Sequence, residues 1–258
     1  MKHSVRNIIA TCLVAGLLNA TDNWAVLASE HCDTSSRIGD VCVCELAELH
    51  PTQAAVGMVE VQIRAEKLRK QMQGRSEQEF LAHLRKHDRV EPVVIGPAGV
   101  LYITDHHHLA RALYEIGQAM TYCKVLDNLS SSNLDAFWKR LQEDNEVYLR
   151  ERGHAITPSQ LPISVKDLRD DPFRSLAGAV RESCGFSKVD SSSPVSNYLE
   201  FKWADYLREN WPKTNIAVDD INANFDSATK AALQLAIQKE AIALPGYTGK
   251  ASCSLREN

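Results

Sequence analysis

The stretch Val100-Leu-Tyr-Ile-Thr-Asp-His-His-His-Leu-Ala-Arg-Ala-Leu-Tyr-Glu-Ile-Gly117 passes from an apolar run into a helical pattern that a glycine stops. A strand that turns directly into a helix aims its last polar residues and the unpaired first-turn amides at one spot. The helix dipole is positive there, so the spot suits an anion. Asp105 is placed to cap the helix, and His106, His107 and His108 to bind substrate or move protons. Arg111 is placed to fork onto phosphate oxygens. Three consecutive histidines share no helical face, so they cannot all be core. The run also lacks the i, i+4 spacing of a zinc helix.

The bulk numbers leave any phosphate binding to a local pocket. With 258 residues, 44% apolar and 24% charged, the chain can bury a real core, but its net charge is −4. Nothing in that balance recruits nucleic acid or an anionic membrane. The N-terminus reads as a secretory signal. Lys2, His3 and Arg6 precede the apolar run Ile8–Leu18, and Val26-Leu-Ala28 offers a cleavage site, so the mature chain would start near Ser29. The apolar run is short for a membrane span. Cys12 would leave with the signal, and six cysteines remain: Cys32, Cys42, Cys44, Cys123, Cys184 and Cys253. An even count in an exported chain fits disulfides, with the pairing left open.

Along the chain, Val41-Cys-Val-Cys-Glu45 begins as a strand, and the stripe Val56, Val59, Ile63, Leu68 implies a loose helix over 53–73. Ser76-Glu-Gln-Glu79 is a capping box opening another helix. Pro92-Val-Val-Ile95 and Val100-Leu-Tyr-Ile103 flank Gly96-Pro-Ala-Gly99 as a β-hairpin, and Thr121–Leu126 is a further strand. Downstream, helices are expected from Leu134 through Leu149, and over Phe173–Ser183, Tyr198–Asn210 and Ser227–Ala243. Trp138, Trp203 and Trp211 are expected to pack these helices. The fold class is α+β: a signal over 1–28, a small mixed-sheet core over 38–127, and a helical C-terminal region over 128–258 packed on it.

Pro92-Val-Val-Ile-Gly96 and Leu101-Tyr-Ile-Thr-Asp-His-His-His-Leu-Ala-Arg-Ala-Leu113 resemble the ParB-like putative nuclease family of the ParB/sulfiredoxin superfamily. Leu49-His-Pro-Thr-Gln53 with Val56-Gly57 looks like its opening motif. Asp170-Asp-Pro-Phe-Arg-Ser-Leu-Ala177 and Leu244-Pro-Gly-Tyr247 look like its later blocks. The resemblance implies a sulfiredoxin-like core whose strand–turn–helix holds phosphorylated groups. It puts an acidic residue at Asp105 and a histidine at His107. His108 stands where several relatives have arginine, with Arg111 one turn on as its replacement. Gln53 occupies about the place of the kinase branch's glutamate and cannot act as a base. The glycine-rich loop has no cysteine, which sets the reductase branch aside.

Three functions follow. The first is phosphodiester or phosphoester hydrolysis, with Asp105 and His107 catalytic and His106, His108, Arg111, Thr52 and Gln53 binding substrate or phosphate. Asp105 would also hold a divalent cation, Mg²⁺ or Mn²⁺, with Glu60 and Glu91 the nearest other carboxylates in sequence. The second is a secreted, non-catalytic module for a phosphorylated ligand or a protein partner. The third is ATP-dependent small-molecule phosphorylation. The partners implied are a phosphorylated small molecule, a nucleotide or a short nucleic acid, with no membrane once the signal is removed.

Overall fold

Hydrophobic period decides which face of each strand is covered. The computed structural model describes residues 31–189, 198–250 and 253, so the signal expected over 1–28 lies outside the described residues. The first six strands are β1 (Val41–Glu45), β2 (His50–Pro51), β3 (Ala55–Val56), β4 (Glu91–Ile95), β5 (Leu101–Ile103) and β6 (Met120–Asn128). Five of them form a mixed sheet in the order β1-β6-β4-β5-β2. The expected hairpin is β4–β5, antiparallel with Val94 opposite Tyr102, and β6 lies parallel to β4 on its other side. β2 adds to the edge parallel to β5, His50 opposite Tyr102.

Both sheet faces are covered, and the alternation in β4 shows it. Val93 and Ile95 enter one core with Leu68, Phe80, Leu84 and Leu113, from the helices α1 (Met58–Met72), α2 (Glu77–Lys86) and α3 (His107–Glu115). Val94 points the other way, into a core of Tyr102, Phe137 and Leu141 under α4 (Leu134–Glu143). The capping box closes as expected: the Ser76 side chain accepts from the Glu79 amide and the Glu79 carboxylate takes the Ser76 amide. Gly117 ends α3 at φ +81°, a conformation glycine adopts without strain.

A third core belongs to the C-terminal helices α5 (Pro172–Glu182), α6 (Leu199–Asn210) and α7 (Phe225–Ala236). Phe186 stacks on fully buried Trp203 at 4.5 Å. Trp211 is buried with them, while Trp138 packs partly buried on the Phe137 core. The short strands β7 (Arg150–Glu151) and β8 (His154–Ala155) form a hairpin, and β9 (Arg169–Asp170) pairs in parallel with β3.

Four expectations change, one of them the last helix, which runs Phe225–Ala236 and stops short of Ala243. Residues 53–57 are not helical: α1 begins only after Gly57, because this segment spends its backbone groups on β9 and on histidine side chains. α4 ends at Glu143 rather than Leu149, with Asn145 left-handed at φ 59°, and Leu149 reaches its core from a loop. Residues between the sheet and α5 also return to the sheet, since Val165 and Leu168 complete the first core and Leu161 the second.

The six cysteines pair as Cys32–Cys42, Cys44–Cys123 and Cys184–Cys253. Cys42 and Cys44 point to the same side of β1 but take different partners. Cys44–Cys123 bridges 79 positions of sequence. Replacing both by alanine is expected to lower the unfolding free energy by about 2–5 kcal/mol, read from urea midpoints. An unchanged midpoint would mean the sheet closes that loop without help.

Candidate functional site

The strand-to-helix turn is built by one left-handed residue. His106 has φ 61° and ψ 18°, a region histidine enters more readily than most side chains. It is the residue before α3, so the cap position falls one later than expected, and its side chain makes no capping bond. Asp105 does not cap the helix; its Oδ1 accepts from the His106 amide at 2.7 Å. The His106 carbonyl takes the amides of Leu109 and Ala110, while those of His107 and His108 meet no acceptor among the described residues. An uncapped helix start therefore faces the turn.

The three histidines part company here. His107 points inward and is 3% exposed. Its Nε2 accepts from the Thr52 amide at 3.2 Å, and its remaining N–H is bonded to the Ile103 carbonyl. Burial pulls its pKa down to about 3, so the ring is neutral with both nitrogens engaged. That geometry leaves His107 no free ring nitrogen for the catalytic part expected from the sequence. His108 Nε2 accepts from the Gly57 amide at 3.0 Å and lies 3.5 Å from a Glu60 oxygen. Burial brings its pKa to about 4 even beside that carboxylate. His106 alone faces outward, with 41% of its side chain exposed. Its Nδ1 is 3.0 Å from the Val90 carbonyl, which leaves Nε2 open.

Behind His106 stands a carboxyl that the sequence showed only as a neighbour in the chain. Glu91 is fully buried, neither of its oxygens has a hydrogen-bond partner, and Oε2 lies 3.8 Å from His106 Nδ1. Burial, with Asp105 adding to it, pushes the Glu91 carboxyl well above the usual carboxylate range. Thr52 is buried, its hydroxyl donating to the Ile103 carbonyl, and the Gln53 amide donates to the Ala55 carbonyl. Neither is presented to a ligand. Arg111 is occupied as well: it grips Glu115 and donates to the carbonyls of Lys166 and Leu168. It locks α3 to the segment before β9 and has no fork free for phosphate. Among the described residues no three His, Cys, Asp or Glu side chains converge as a metal would require. The described residues do not build a cation site around Asp105.

Sequence reasoning gave no role to Arg174 or Ser175, both buried. The available signal was a charged residue on the apolar face of α5, among Phe173, Leu176, Ala177 and Val180. Nor did it bring Tyr148, Tyr198 and Phe201 together. Tyr148 stacks on Phe201 at 3.9 Å and meets Tyr198 at 4.8 Å. Burial raises the Tyr198 phenol above its ordinary pKa, with Glu146, Tyr148 and Asp105 adding.

A mixed sheet whose central hairpin feeds a histidine-bearing helix, with a helical region beside it, defines a ParB-like architecture. The chain belongs to the family described as Putative ParB-like nuclease, whose model matches residues 42–209. It is similar to the crystal structure of protein Atu1540 from Agrobacterium tumefaciens, at 33% identity and a TM-score of 0.66. That match covers 81% of this chain and 97% of the other. No curated protein matches the chain.

Two pH effects follow. The folded pKa values of His107 and His108 lie near 3 and 4, below the ordinary 6.5, so their contribution is complete above pH 6.5 and is lost as pH falls. Urea unfolding should show stability dropping by up to about 1.4 kcal/mol per pH unit per histidine below pH 6.5. His108→Gln should remove about half of that slope, and an unchanged slope would contradict the buried neutral ring. Glu91 has the opposite sign: its folded pKa is raised, so its contribution is complete below 4.5 and is lost as pH rises. Glu91→Gln should therefore gain on the parent by up to about 1.4 kcal/mol per pH unit above that value. A variant that loses ground instead would show Glu91 to be ionised and paired.

Proposed function

We propose that the turn hydrolyses a phosphodiester or phosphoester, with His106 moving the proton. The observation that carries this is the open Nε2 of His106, the one ring lone pair of the three histidines that no amide takes, beside an uncapped helix start. In this reading the phosphoryl group sits at the α3 amides, where the helix dipole favours its charge. A water held by the free Asp105 oxygen attacks phosphorus. The new P–O bond forms as the bond to the leaving oxygen breaks; His106 Nε2 takes the water proton and solvent protonates the leaving group. The imidazolium then returns its proton to solvent. The Val90 carbonyl fixes the ring and accepts the Nδ1–H of the imidazolium that forms.

The family points to nucleic acid as the broadest substrate class. The chain's negative charge favours a short nucleic acid, a nucleotide or another small phosphorylated molecule over a long duplex. Export through the 1–28 signal agrees with three disulfides, which persist in oxidising compartments. Kinase chemistry has less support, since Gln53 holds the Ala55 carbonyl and offers no base. One observation favours a non-catalytic binder of a phosphorylated ligand: His107 and His108 are both engaged, so a single free imidazole carries all the acid–base work.

Turnover of bis(4-nitrophenyl) phosphate and of a short labelled oligonucleotide decides between the two. His106→Gln should lower kcat/KM by about 10²–10⁴ with little change in melting temperature, because the ring is half-exposed. Full turnover in that variant would sink the assignment, and ligand binding without turnover in the parent would favour the binder.

A further inference from the structure

Arg174 is a buried cation that its neighbours leave unmatched. The side chain lies on α5, is 6% exposed, and has no hydrogen-bond partner for Nε or Nη1. Its guanidinium sits over the Phe201 ring at 4.1 Å, which supports a cation but accepts no N–H in its plane. Two carboxylates are close enough to act on it electrostatically, Glu60 and Asp171, and each is held by another arginine. Arg64 takes Glu60 Oε1 through Nε and Nη2 at 3.0 and 2.6 Å. Arg208 takes Asp171 Oδ2 at 2.5 Å, while Asp171 Oδ1 caps Phe173. A buried guanidinium without an acceptor is costly, so a fold that keeps one has a reason to.

A second orphan lies beside it. The Ser175 hydroxyl is buried without a partner and packs against Gly57, where a Cβ would come within 2.4 Å of the Ser175 oxygen. Gly57 in turn gives its amide to His108, whose ring adjoins Glu60. α5 and α1 touch again at Gly178, where a Cβ would come within 3.0 Å of Glu60. Glycine at both contacts lets α5 lie close enough to set Arg174 and Ser175 next to the histidine turn. Tyr148, stacked on Phe201, flanks the same place. The α5 start itself is already satisfied by Pro172 and the Asp171 cap, so the open donors are the two side chains.

We propose that Arg174 and Ser175 form a second anion subsite, which takes a phosphate-type oxyanion of the substrate beside the one at the α3 turn. The assignment rests on the hydrolytic reading for the reaction and extends it: the substrate carries two anionic groups, as a dinucleotide or a nucleotide with a further phosphate does. The guanidinium fork supplies the charge, the serine hydroxyl a neutral donor, and the Phe201 stack holds the plane of the fork.

Isothermal titration of the full chain with inorganic phosphate, at ionic strength matched with chloride, tests this directly. Adenosine 5′-monophosphate and adenosine run in parallel, and Lys139→Gln serves as an exposed charge-loss control. The parent and Lys139→Gln should bind phosphate and the monophosphate saturably, and Arg174→Gln about 10–100-fold more weakly, the range for a lost charge-assisted bond. Should that variant fail to fold by near-ultraviolet dichroism, Arg174→Lys takes its place: it keeps the charge, loses the fork, and should bind several-fold more weakly. Parent-like affinity in the folded Arg174 variant, no saturable phosphate binding by the parent, or adenosine binding as tightly as its monophosphate would overturn the subsite. Turnover that depends on His106 alongside phosphate affinity indifferent to Arg174 would leave hydrolysis standing and remove the subsite. Arg174-dependent binding without turnover would do the reverse.

Discussion

Two backbone amides ending on two imidazoles hold this site together: Thr52 N–H on His107 and Gly57 N–H on His108. Each bond needs a neutral ring, because a protonated imidazole has no lone pair to offer. Burial supplies that condition by pulling both pKa values far below the ordinary one. Removing an acceptor would strand a buried amide at a cost of about 1–3 kcal/mol. The two bonds therefore fix where residues 52–57 run, and so where α1 begins. The crossing of α1 with α5 follows from that, and with it the position of Arg174.

Much of the sheet was legible because its signals are local. The alternation in β4, the capping box at Ser76 and the glycine after α3 each speak through near neighbours. The helix expected over 53–57 was not, because Ala55 and Val56 pair with β9 and Gly57 bonds to a side chain 51 positions away. The same reason hides the split among the histidines. Composition says that three imidazoles cluster at a turn; which of them meets an amide depends on a segment placed by tertiary packing. Arg111 illustrates the opposite error. One turn into the helix it looked free for phosphate, yet two carbonyls before β9 and Glu115 claim every nitrogen that the phosphate would need.

The C-terminal helices, expected to pack on the sheet core, are organised around a core of their own. Their own core surrounds Trp203, apart from the sheet cores, while residues 129–170 complete those. What these elements place near the turn is chemical: Arg174 and Ser175 from α5, with Phe201 of α6 stacked on Tyr148 of the loop before β7 and meeting Tyr198. An α+β core with the turn alone would offer helix amides and one imidazole. The added helices give that turn a cation and an aromatic wall.

The left-handed backbone at His106 is what lets one tripeptide serve two purposes. In a helix, successive side chains fan out by about 100°, so three histidines starting α3 would face three directions set by the helix alone. Placing His106 just outside, at φ 61°, breaks that constraint at a cost of about 1–2 kcal/mol for a non-glycine residue. The Asp105 carboxylate on the His106 amide and the Val90 carbonyl at Nδ1 offset it. Helical geometry then aims His107 and His108 inward to bind amides, while the turn aims His106 outward with Nε2 open. Glycine would enter the turn more cheaply but would bring no imidazole. A histidine held in that conformation, over a buried carboxyl without partners, is strain placed at the one outward-facing imidazole of the turn.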